Sequence, residues 1–537
     1  MAANSVDVLD YIIVGGGSAG CALAARLSEI DGASVALIEQ GPRDWNPYIH
    51  IPVTYYKTSQ GSLLTRYRIE PSRHGRKAEF PEMVQARVLG GGSSVNGMVY
   101  MRGNPQDYDT WAAQGCHGWS YTDVLPYFRK AESNERFADE AHGTRGPLAV
   151  SDQSQTLPLT KAWLRACQEH GIPYNQDFNS GQQLGCGLYQ VTMRNGLRSS
   201  AARAYLRPAR RRSNLTIRTN TQVTRIAVQS GRATGVEVVE GGQLKVLRAE
   251  REVIVAAGGI GSPHLLLRSG IGPAKHLREV GVPVCHDLPG VGENLQDHVD
   301  VFLIYDLRGP HSYDKYKKPH WQVAAALQYA LFRNGPLTSN IAEGGLCWWG
   351  PDKSDPRPDL QFHFLCGAGI EAGTDTPPSG NGCTLNIGQM RPRSRGRLTL
   401  RSADASAPPI VDPRYISEPH DVACLCEGVR VGQEIMAGRE LEGYVKAIHR
   451  PGAVLATHGE REAFVRETAQ GALHPCGACK MGSDDLAVVD PQLRVRGLDG
   501  LRVADSSAMP FVPSGNLNGP VIMLAERAAD FIKGNRI

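Results

Sequence analysis

The sequence has almost no excess of charge of either sign. Its 58 Lys and Arg residues are nearly balanced by 54 Asp and Glu residues, which leaves a net charge of +4 over 537 residues. Nucleic-acid-binding proteins concentrate positive charge on one face to contact phosphates, so this balance argues against that class. The one basic run, residues 207–212, is predicted to be a solvated turn.

Long apolar runs and secretion signals are also missing. No stretch of the sequence approaches the ~18 consecutive apolar residues of a membrane span. The N-terminus has neither the basic nor the apolar region of a signal peptide. We therefore expect a soluble, cytoplasmic protein without a transmembrane segment. Peripheral contact with the inner membrane and the oligomeric state stay open.

Cysteine is scarce, with 12 residues in the chain. Disulfide-stapled secreted domains use far more, so we expect reduced, buried thiols. The spacing Cys476-Gly-Ala-Cys479 could indicate zinc or a redox disulfide, but a second ligand pair and a thioredoxin-like context are both missing. The sequence therefore predicts no metal.

Glycine is abundant instead, with 60 of 537 residues, or about 11% against ~7% in average proteins. The first cluster, Gly15-Gly-Gly-Ser-Ala-Gly20, follows a short run of β-branched residues and precedes apolar residues at helical spacing. A second apolar run then ends at Glu39. Strand, glycine turn, helix and strand together form a βαβ unit.

The spacing Gly15-x-Gly17-x-x-Gly20 predicts a dinucleotide site. Glycines allow the tight turn and the close approach of a pyrophosphate, and the helix N-terminus supplies N–H donors to the phosphates. Glu39 follows at the end of the second strand, where it can accept hydrogen bonds from ribose hydroxyls. Its charge disfavours a 2′-phosphate. FAD and NAD both remain open on this motif alone.

Two further segments carry candidate functional residues. Residues 87–97 form a second glycine-rich turn with small hydroxyls and an amide, which suits a ligand longer than a mononucleotide. Near the C-terminus, His474 stands beside a proline and a glycine turn, and a histidine suits proton abstraction from an alcohol. In an ordinary environment its pKa would be near ~6.5, so the reaction rate would rise with pH around that value.

Together these blocks resemble the glucose/methanol/choline oxidoreductases, which bind FAD and oxidise alcohols. The resemblance covers nearly the whole chain and rests on residues 10–20 with Glu39, residues 87–103, residues 258–273, and the blocks around His474 and Asn516. Residues 289–298 also follow the family's pattern. The resemblance implies FAD rather than NAD. It also implies non-covalent binding, because Val95 stands where some members have a flavin-linked histidine.

The resemblance assigns roles to individual residues. His474 matches the family's active-site base and Asn516 its partner. Cofactor contacts are expected at Gly15, Gly17, Ser18, Ala19, Gly20, Glu39, Arg87, Gly91, Ser93, Asn96, Gly97, Met98, Val99, Val223, Ala257, Gly258, Asp505, Ser506, Asn516 and Leu517. A substrate contact is expected at His363, which falls where choline-type members have a substrate-contacting histidine. Apart from the resemblance, a second is expected at Asn340, a polar residue in the aromatic-rich segment that is the pocket candidate.

The expected fold class is α/β. A Rossmann-like FAD-binding domain with a βαβ dinucleotide fold should interleave with an α+β substrate domain built on an antiparallel sheet. We assign residues 1–154, 206–300 and 461–537 to the FAD-binding domain and residues 155–205 and 301–460 to the substrate domain. The last FAD-binding part carries the candidate base. An amphipathic helix is predicted over residues 521–532.

The predicted function is FAD-dependent oxidation of a primary or secondary alcohol, with His474 as base. Outside the shared blocks, segments such as residues 313–321 and 332–345 are most similar to bacterial sugar and polyol dehydrogenases of the L-sorbose dehydrogenase kind. A choline site should need a buried carboxylate and an aromatic cage. Glu343 is the only acidic residue from 315 to 350, so a neutral polyhydroxylated or aryl alcohol is favoured.

The fate of the electrons is not determined by the sequence. A quinone, a dye and O₂ all remain candidate acceptors, so an oxidase of the aryl-alcohol or furfural type is an open alternative to a dehydrogenase. A lyase of the same fold, whose flavin has no redox role, is a second alternative.

Overall fold

The computed structural model describes residues 7–70, 82–371 and 373–534. In the first half of the chain the strands are β1 (Asp7–Val14), β2 (Val35–Ile38), β3 (Leu64–Arg68), β4 (Glu82–Ala86), β5 (Glu132–Asn134), β6 (Leu148–Val150), β7 (Gly185–Leu188), β8 (Met193–Arg194), β9 (Leu197–Arg198), β10 (Leu215–Arg218), β11 (Thr221–Gln229), β12 (Arg232–Glu240) and β13 (Gln243–Val255). In the second half they are β14 (Ile271–Gly272), β15 (His286–Asp287), β16 (Glu293–Leu295), β17 (Val299–Leu307), β18 (Ala342–Trp348), β19 (Leu360–Leu365), β20 (Gly382–Gln389), β21 (Gly396–Thr399), β22 (Ile410–Asp412), β23 (Val445–Arg450), β24 (Gln470–Gly471) and β25 (Leu501–Val503).

The helices are interspersed with these strands along the chain. They are α1 (Ser18–Leu27), α2 (Pro47–His50), α3 (Tyr55–Thr58), α4 (Pro105–Ala113), α5 (Tyr121–Ala131), α6 (Pro158–Glu169), α7 (Arg207–Ala209), α8 (Gly258–Arg268), α9 (Ala274–Glu279), α10 (Pro319–Phe332), α11 (Pro419–Met436), α12 (His458–Thr468) and α13 (Asn518–Lys533). Helix α13 begins three residues before its predicted start, because Gly519 and Pro520 occupy its first turn, where a proline needs no N–H partner.

A mixed sheet built around β1 supports the glycine turns. Its strands lie in the order β10-β2-β1-β13-β12-β11, and β25 pairs with the end of β13. Strands β10, β2, β1, β13 and β25 run parallel, whereas β11 and β12 are antiparallel. Ile12, Leu37 and Ile254 are fully buried, as expected for parallel strands that are covered on both faces.

A second, antiparallel sheet supports the other end of the site. Its order is β23-β17-β20-β19-β18-β7, with β24 beside β17. One face packs against α11, where a Cβ on Gly432 would lie within 3.1 Å of Leu385 and Ile387. The close fit removes that face from solvent. The opposite face lines the cavity described below.

The predicted α/β class and the antiparallel second sheet are confirmed. The first sheet takes its strands from residues 7–38, 215–255 and 501–503, and the second from residues 185–188, 299–389 and 445–471. The two sheets therefore interleave along the chain. The domain boundaries themselves stay a prediction.

The described residues also bear on membranes, metals and thiols. Within them, no helix has the length and apolar character needed to span a bilayer, and no group of three or more His, Cys, Asp or Glu could hold a metal ion. All 12 cysteines are free thiols, and only Cys285 is exposed.

Candidate active site

One cavity of about 570 Å³ connects the two sheets. At one end it is lined by the turn after β1 and by Glu39, and at the other by His474, Asn516 and His363. The cavity therefore joins the predicted cofactor residues to the predicted base.

Two positions of the turn after β1 require glycine. Gly15 has a φ of +105°, and a Cβ there would lie 2.4 Å from the carbonyl oxygen of Ala256. A Cβ on Gly20 would lie 1.9 Å from the carbonyl oxygen of Gly15, so Gly20 allows α1 to pack on the turn. Gly20 itself does not line the cavity.

Gly17 differs, because a Cβ there would meet nothing closer than 4.0 Å. It is the N-cap of α1 and no side chain caps the helix. The first N–H groups of α1 are therefore available to an anion that approaches over Gly17, which is how a helix N-terminus binds phosphate.

Glu39 stands at the end of β2. Its two carboxylate oxygens accept hydrogen bonds from the backbone N–H groups of Gly16 and Gly41, both at 2.8 Å. Burial raises its pKa, and these two N–H groups counteract the rise. Held in this way, the carboxylate faces the cavity where ribose hydroxyls are expected.

The second glycine turn touches the first. Gly91 has a φ of +53°, and a Cβ on it would lie 2.6 Å from Cα of Gly17. Ser93 lies behind the turn, where its Oγ accepts a hydrogen bond from the N–H of Ala201 and donates one to Gly90. Asn96 accepts a hydrogen bond from the buried Arg198 at 2.7 Å. Ser93 thus stabilises the turn without lining the cavity.

The other cofactor residues predicted from the sequence meet in the cavity wall. These are Gly15, Gly17, Ser18, Ala19, Glu39, Arg87, Gly91, Asn96, Gly97, Met98, Val99, Val223, Ala257, Gly258, Asp505, Ser506, Asn516 and Leu517. Asn518, at the start of α13, lines the cavity and is a candidate cofactor contact that the sequence did not predict. Its Oδ1 accepts a hydrogen bond from Ser18, and its buried Nδ2 has no partner in the described protein, so it fits a donor reserved for a ligand.

The far end of the cavity carries the candidate base. His474 donates its backbone N–H to Asp297 at 2.7 Å. Its ring Nδ1 lies 3.0 Å from Nδ1 of His298, and its Nε2 lies 3.5 Å from Nδ2 of Asn516. Gln361 donates to Oδ1 of Asn516 at 3.3 Å, and this bond orients the amide so that Nδ2 faces the base.

The hydrogen bonds determine which nitrogen of His474 is the base. Nε2 of His298 lies 3.1 Å from the carbonyl oxygen of Pro513, which can only accept, so that nitrogen carries the proton. In neutral His298 the Nδ1 atom is then an acceptor, and His474 must donate to it from its own Nδ1. The lone pair of neutral His474 therefore lies on Nε2, beside Asn516.

Three histidines at this end are held neutral. Burial lowers the pKa of His474 well below its usual value, and His298 and His363 lower it further. Burial also lowers the pKa values of His298 and His363 to about 4. His474 is therefore unprotonated at neutral pH, which corrects the expectation of a pKa near ~6.5.

The second sheet forms a polar wall next to the base. His363 on β19 pairs with Asn386 on β20, and Gln361 pairs with Gly388, whose other neighbour is Asp300 on β17. Paired residues and residues two apart share a face of a sheet, so these side chains all point into the cavity. His363 therefore lines the cavity near the base, and its contact with substrate stays a prediction.

Two carboxyl groups line this wall that the sequence analysis did not anticipate. Asp300 accepts a hydrogen bond from Asn386 at 2.8 Å, and Glu371 accepts one from Tyr55 at 3.1 Å. Burial raises the pKa of Asp300 to about 7 and also raises that of Glu371. Neither is recognisable from the sequence, because Asp300 reaches the wall through the pairing of β17 with β20 and Glu371 is placed there beside Tyr55.

Asn340 is not brought to the cavity. It is fully buried, its Nδ2 donates to the carbonyl oxygen of Gly97 at 2.7 Å, and its Oδ1 accepts from Gln153 at 2.9 Å. Both polar atoms are used within the protein. Asn340 therefore supports the second glycine turn, which corrects its assignment as a substrate contact.

The geometry agrees with comparisons to known proteins. A family profile described as GMC oxidoreductase matches residues 9–300 and 392–525. The chain belongs to the GMC oxidoreductase family. It binds FAD and is an oxidoreductase acting on CH–OH donors.

Several relatives of this GMC oxidoreductase are similar along almost their whole length. An oxygen-dependent choline dehydrogenase of Sinorhizobium fredii is 41% identical over 98% of this chain and 96% of its own. The human mitochondrial choline dehydrogenase is 40% identical over 99% and 91%. Because these relatives are choline dehydrogenases, they do not support the expected narrower similarity to sorbose dehydrogenases.

Solved structures of two oxidases share the fold. Pyridoxine 4-oxidase from Mesorbium loti is 30% identical with a TM-score of 0.88, over 98% of this chain and 100% of that one. Formate oxidase from Aspergillus oryzae is 25% identical with a TM-score of 0.91, over 99% of both chains.

Proposed function

We propose that this GMC oxidoreductase is a dehydrogenase that oxidises a neutral polyhydroxylated or aryl alcohol, with His474 as the proton acceptor. The observation that carries the proposal is the neutral His474, whose Nε2 lone pair faces the cavity beside Asn516. A base in this protonation state can accept the hydroxyl proton of an alcohol at neutral pH.

The protein and its cofactor have separate roles in the reaction. When bound, FAD supplies the acceptor for the hydride that leaves the alcohol carbon. His474 accepts the hydroxyl proton on Nε2, and Asn516 donates a hydrogen bond from Nδ2 to the oxygen as negative charge develops on it. Asp297 holds the backbone of His474 and His298 holds its ring, so the base is oriented before substrate arrives.

The polar wall favours a neutral substrate. Gln361, Asn386 and neutral His363 offer uncharged donors and acceptors to hydroxyl groups. With its pKa raised to about 7, Asp300 exists partly as a neutral acid at physiological pH, so it does not demand a cation. Among the described lining residues, Tyr55 and Tyr67 are the only Phe, Trp or Tyr side chains, which is too few for an aromatic cage.

A cationic alcohol is the second candidate. Asp300 and Glu371 lie close enough for the charge of one to raise the pKa of the other, and a cation between them would favour their ionised forms. The choline dehydrogenase relatives point the same way. The two candidates differ in one requirement: a cationic alcohol needs the negative charge of Asp300, whereas a neutral alcohol does not.

The test is a panel of sugars, polyols, aryl alcohols and choline, with anaerobic flavin bleaching and kcat/KM measured for the wild type and for Asp300→Asn. Asn retains an oxygen that accepts from Asn386, so we expect kcat/KM for the best neutral alcohol to change by less than ~10-fold. A cationic substrate would lose its counter-charge, at a cost of roughly 30-fold or more.

A matched control lies on the same strand. Asp306 is also on β17 but pairs with Lys446 and does not line the cavity, so Asp306→Asn should leave kcat/KM unchanged for every alcohol. Choline as the best substrate, with a large loss in Asp300→Asn, would establish the second candidate instead. If no alcohol bleaches the flavin, the lyase alternative holds. Fast reoxidation in air-saturated buffer would identify an oxidase.

A further inference from the structure

Helix α10 presents large apolar side chains to solvent. Five of them are between 42 and 72% exposed: Trp321, Val323, Leu327, Leu331 and Phe332. Val323, Leu327 and Leu331 follow each other at intervals of four and so share one face. Only Ala325 and Tyr329 of this helix are buried. A contiguous apolar patch of this kind is unusual on a soluble protein and marks a site of interaction.

The helix is nevertheless well anchored. Pro319 occupies its first turn, and Arg333 ends it in the left-handed conformation at a φ of +53°. Tyr329 donates a hydrogen bond to the carbonyl oxygen of Gly196 at 2.9 Å. The exposed face is therefore a stable feature of the fold, held in place by its opposite side.

Basic side chains flank both ends of α10. Lys315, Lys317 and Lys318 precede it, and Nζ of Lys315 lies 5.6 Å from the ring centre of Trp321. Arg333 follows it, close enough to Arg203 for its charge to lower the pKa of that guanidinium, as burial and Arg207 also do. The helix itself contains no acidic residue. The patch is thus apolar at its centre and positive at its edges.

Few acids compensate this charge. Lys317 pairs with Asp314, and Asp44 acts on Arg203 from a longer distance. Lys318 and Arg333 have no carboxylate within 4.0 Å among the residues that the structure describes, and the same is true of Lys315, Arg203 and Arg207. The edges of the patch are therefore free to meet negative charge.

A second copy of the chain is a poor partner for this surface. A two-fold interface places a patch against itself, so the basic ends of two α10 helices would face each other without acids between them. An anionic lipid surface fits both features, because an interfacial helix buries its apolar face at the acyl boundary while Lys and Arg meet the headgroups. Trp side chains favour the same boundary.

We propose that α10 and its flanking basic residues dock this enzyme on the surface of an anionic phospholipid bilayer. The helix lies in the plane of the interface and does not cross it. The site is close to the cavity along the chain, since β18 follows α10 after a short loop and its first residue, Ala342, lines the cavity.

Flotation of the FAD-loaded enzyme with phosphatidylcholine vesicles, with and without phosphatidylglycerol, tests this proposal. We expect binding to the anionic vesicles only, and weaker binding at high salt. Leu327→Gln with Leu331→Gln should reduce the partition coefficient at least ~10-fold. Lys318→Gln and Arg333→Gln should each reduce it about fivefold.

Leu244→Gln with Val246→Gln is the matched control, because these side chains on β13 are also exposed but lie outside the patch. It should bind vesicles like the wild type. All variants should keep wild-type flavin reduction by alcohol, which shows that they fold. The proposal is overturned if the wild type does not float with anionic vesicles, if the α10 variant floats equally well, or if size-exclusion shows a dimer that this variant dissociates.

Discussion

A charge on His474 would be costly where the residue lies. Burial opposes it, and two neighbouring histidines oppose it as well. The same surroundings supply no carboxylate to the ring, since its Nδ1 contacts His298 rather than an acid. The base is therefore neutral before the reaction. Once it holds the proton, its charged form is destabilised by burial and by the two histidines, which favours rapid loss of that proton afterwards.

The lowered pKa of His474 should make flavin reduction insensitive to pH near neutrality. Because protonation competes with the base only below its lowered pKa, the rate of flavin reduction should be flat between about pH 6.5 and 8 and fall only as the pH decreases further. His474→Ala should reduce that rate by ~10²–10⁴, with bound FAD unchanged. Stopped-flow reduction, normalised to flavin content, measures both; a rate that rises around pH 6.5 would show an ordinary histidine.

Variants of His298 and Asn516 extend the same experiment. His298→Ala removes the acceptor that fixes the tautomer of His474 and should slow reduction by about 10². His298→Asn keeps an acceptor atom near Nδ1 and should restore most of the rate. If Ala and Asn at this position lose rate and FAD equally, His298 only packs. Asn516→Ala should cost on the order of 10²–10³.

At the scale of elements, the glycine turns were readable from sequence because their function depends on local spacing. Gly15, Gly17 and Gly20 act within one turn, between the end of β1 and the first turn of α1. Of the residues in the polar wall, only His363 was predicted from the sequence as a substrate contact. Gln361 and His363 alternate on one strand, whereas Asp300 and Asn386 join them through pairing with β17 and β20, and single-strand patterns do not reveal such register.

The same distinction explains Asn340. Its polarity and position among aromatic residues suggested a substrate contact, but its hydrogen bonds to Gly97 and Gln153 come from segments far away in the sequence. A buried amide that satisfies two remote partners has no sequence signature of its own. The partners of a side chain, rather than its type, decide whether it is available to a ligand.

Gly17→Ala tests the cradle at the start of α1. The added Cβ meets no protein atom closer than 4.0 Å, but alanine is a poorer N-cap than glycine, so the apoprotein should unfold at an unchanged or slightly lower temperature. The methyl group occupies the space over the helix N-terminus, so the Kd for FAD should rise at least ~10-fold, equal to about 1.4 kcal/mol. Gly459→Ala, in the first turn of α12 and free of contacts, is the control: it should raise the unfolding temperature slightly through helix propensity and leave the Kd for FAD unchanged. Equal FAD affinity in the two variants would place the phosphates elsewhere.

At the scale of the whole molecule, the cavity joins parts of the chain that are distant in sequence. Its walls come from residues 14–19, from the turn at 91–99, from β11 and α8, and from the C-terminal blocks around His474 and Asn516. The first sheet is likewise assembled from three segments that lie far apart in the sequence. A ligand that fills this cavity therefore contacts all of these segments at once and should stabilise the fold as a unit.

Val95 lines the cavity with a side chain that cannot bond covalently to a flavin, so FAD should be a dissociable ligand that contacts all of these segments. A dissociable ligand that binds only the folded state stabilises it by mass action. The unfolding temperature of the apoprotein should therefore rise with the logarithm of free FAD, each tenfold step above Kd adding about 1.4 kcal/mol. Riboflavin lacks the pyrophosphate and ribose that Gly17 and Glu39 are placed to bind, so it should raise the temperature far less. Acid precipitation of the holoenzyme should release the flavin into a yellow supernatant. Flavin retained in the pellet would show covalent attachment, and an apoprotein whose unfolding temperature does not respond to FAD would contradict the mass-action prediction.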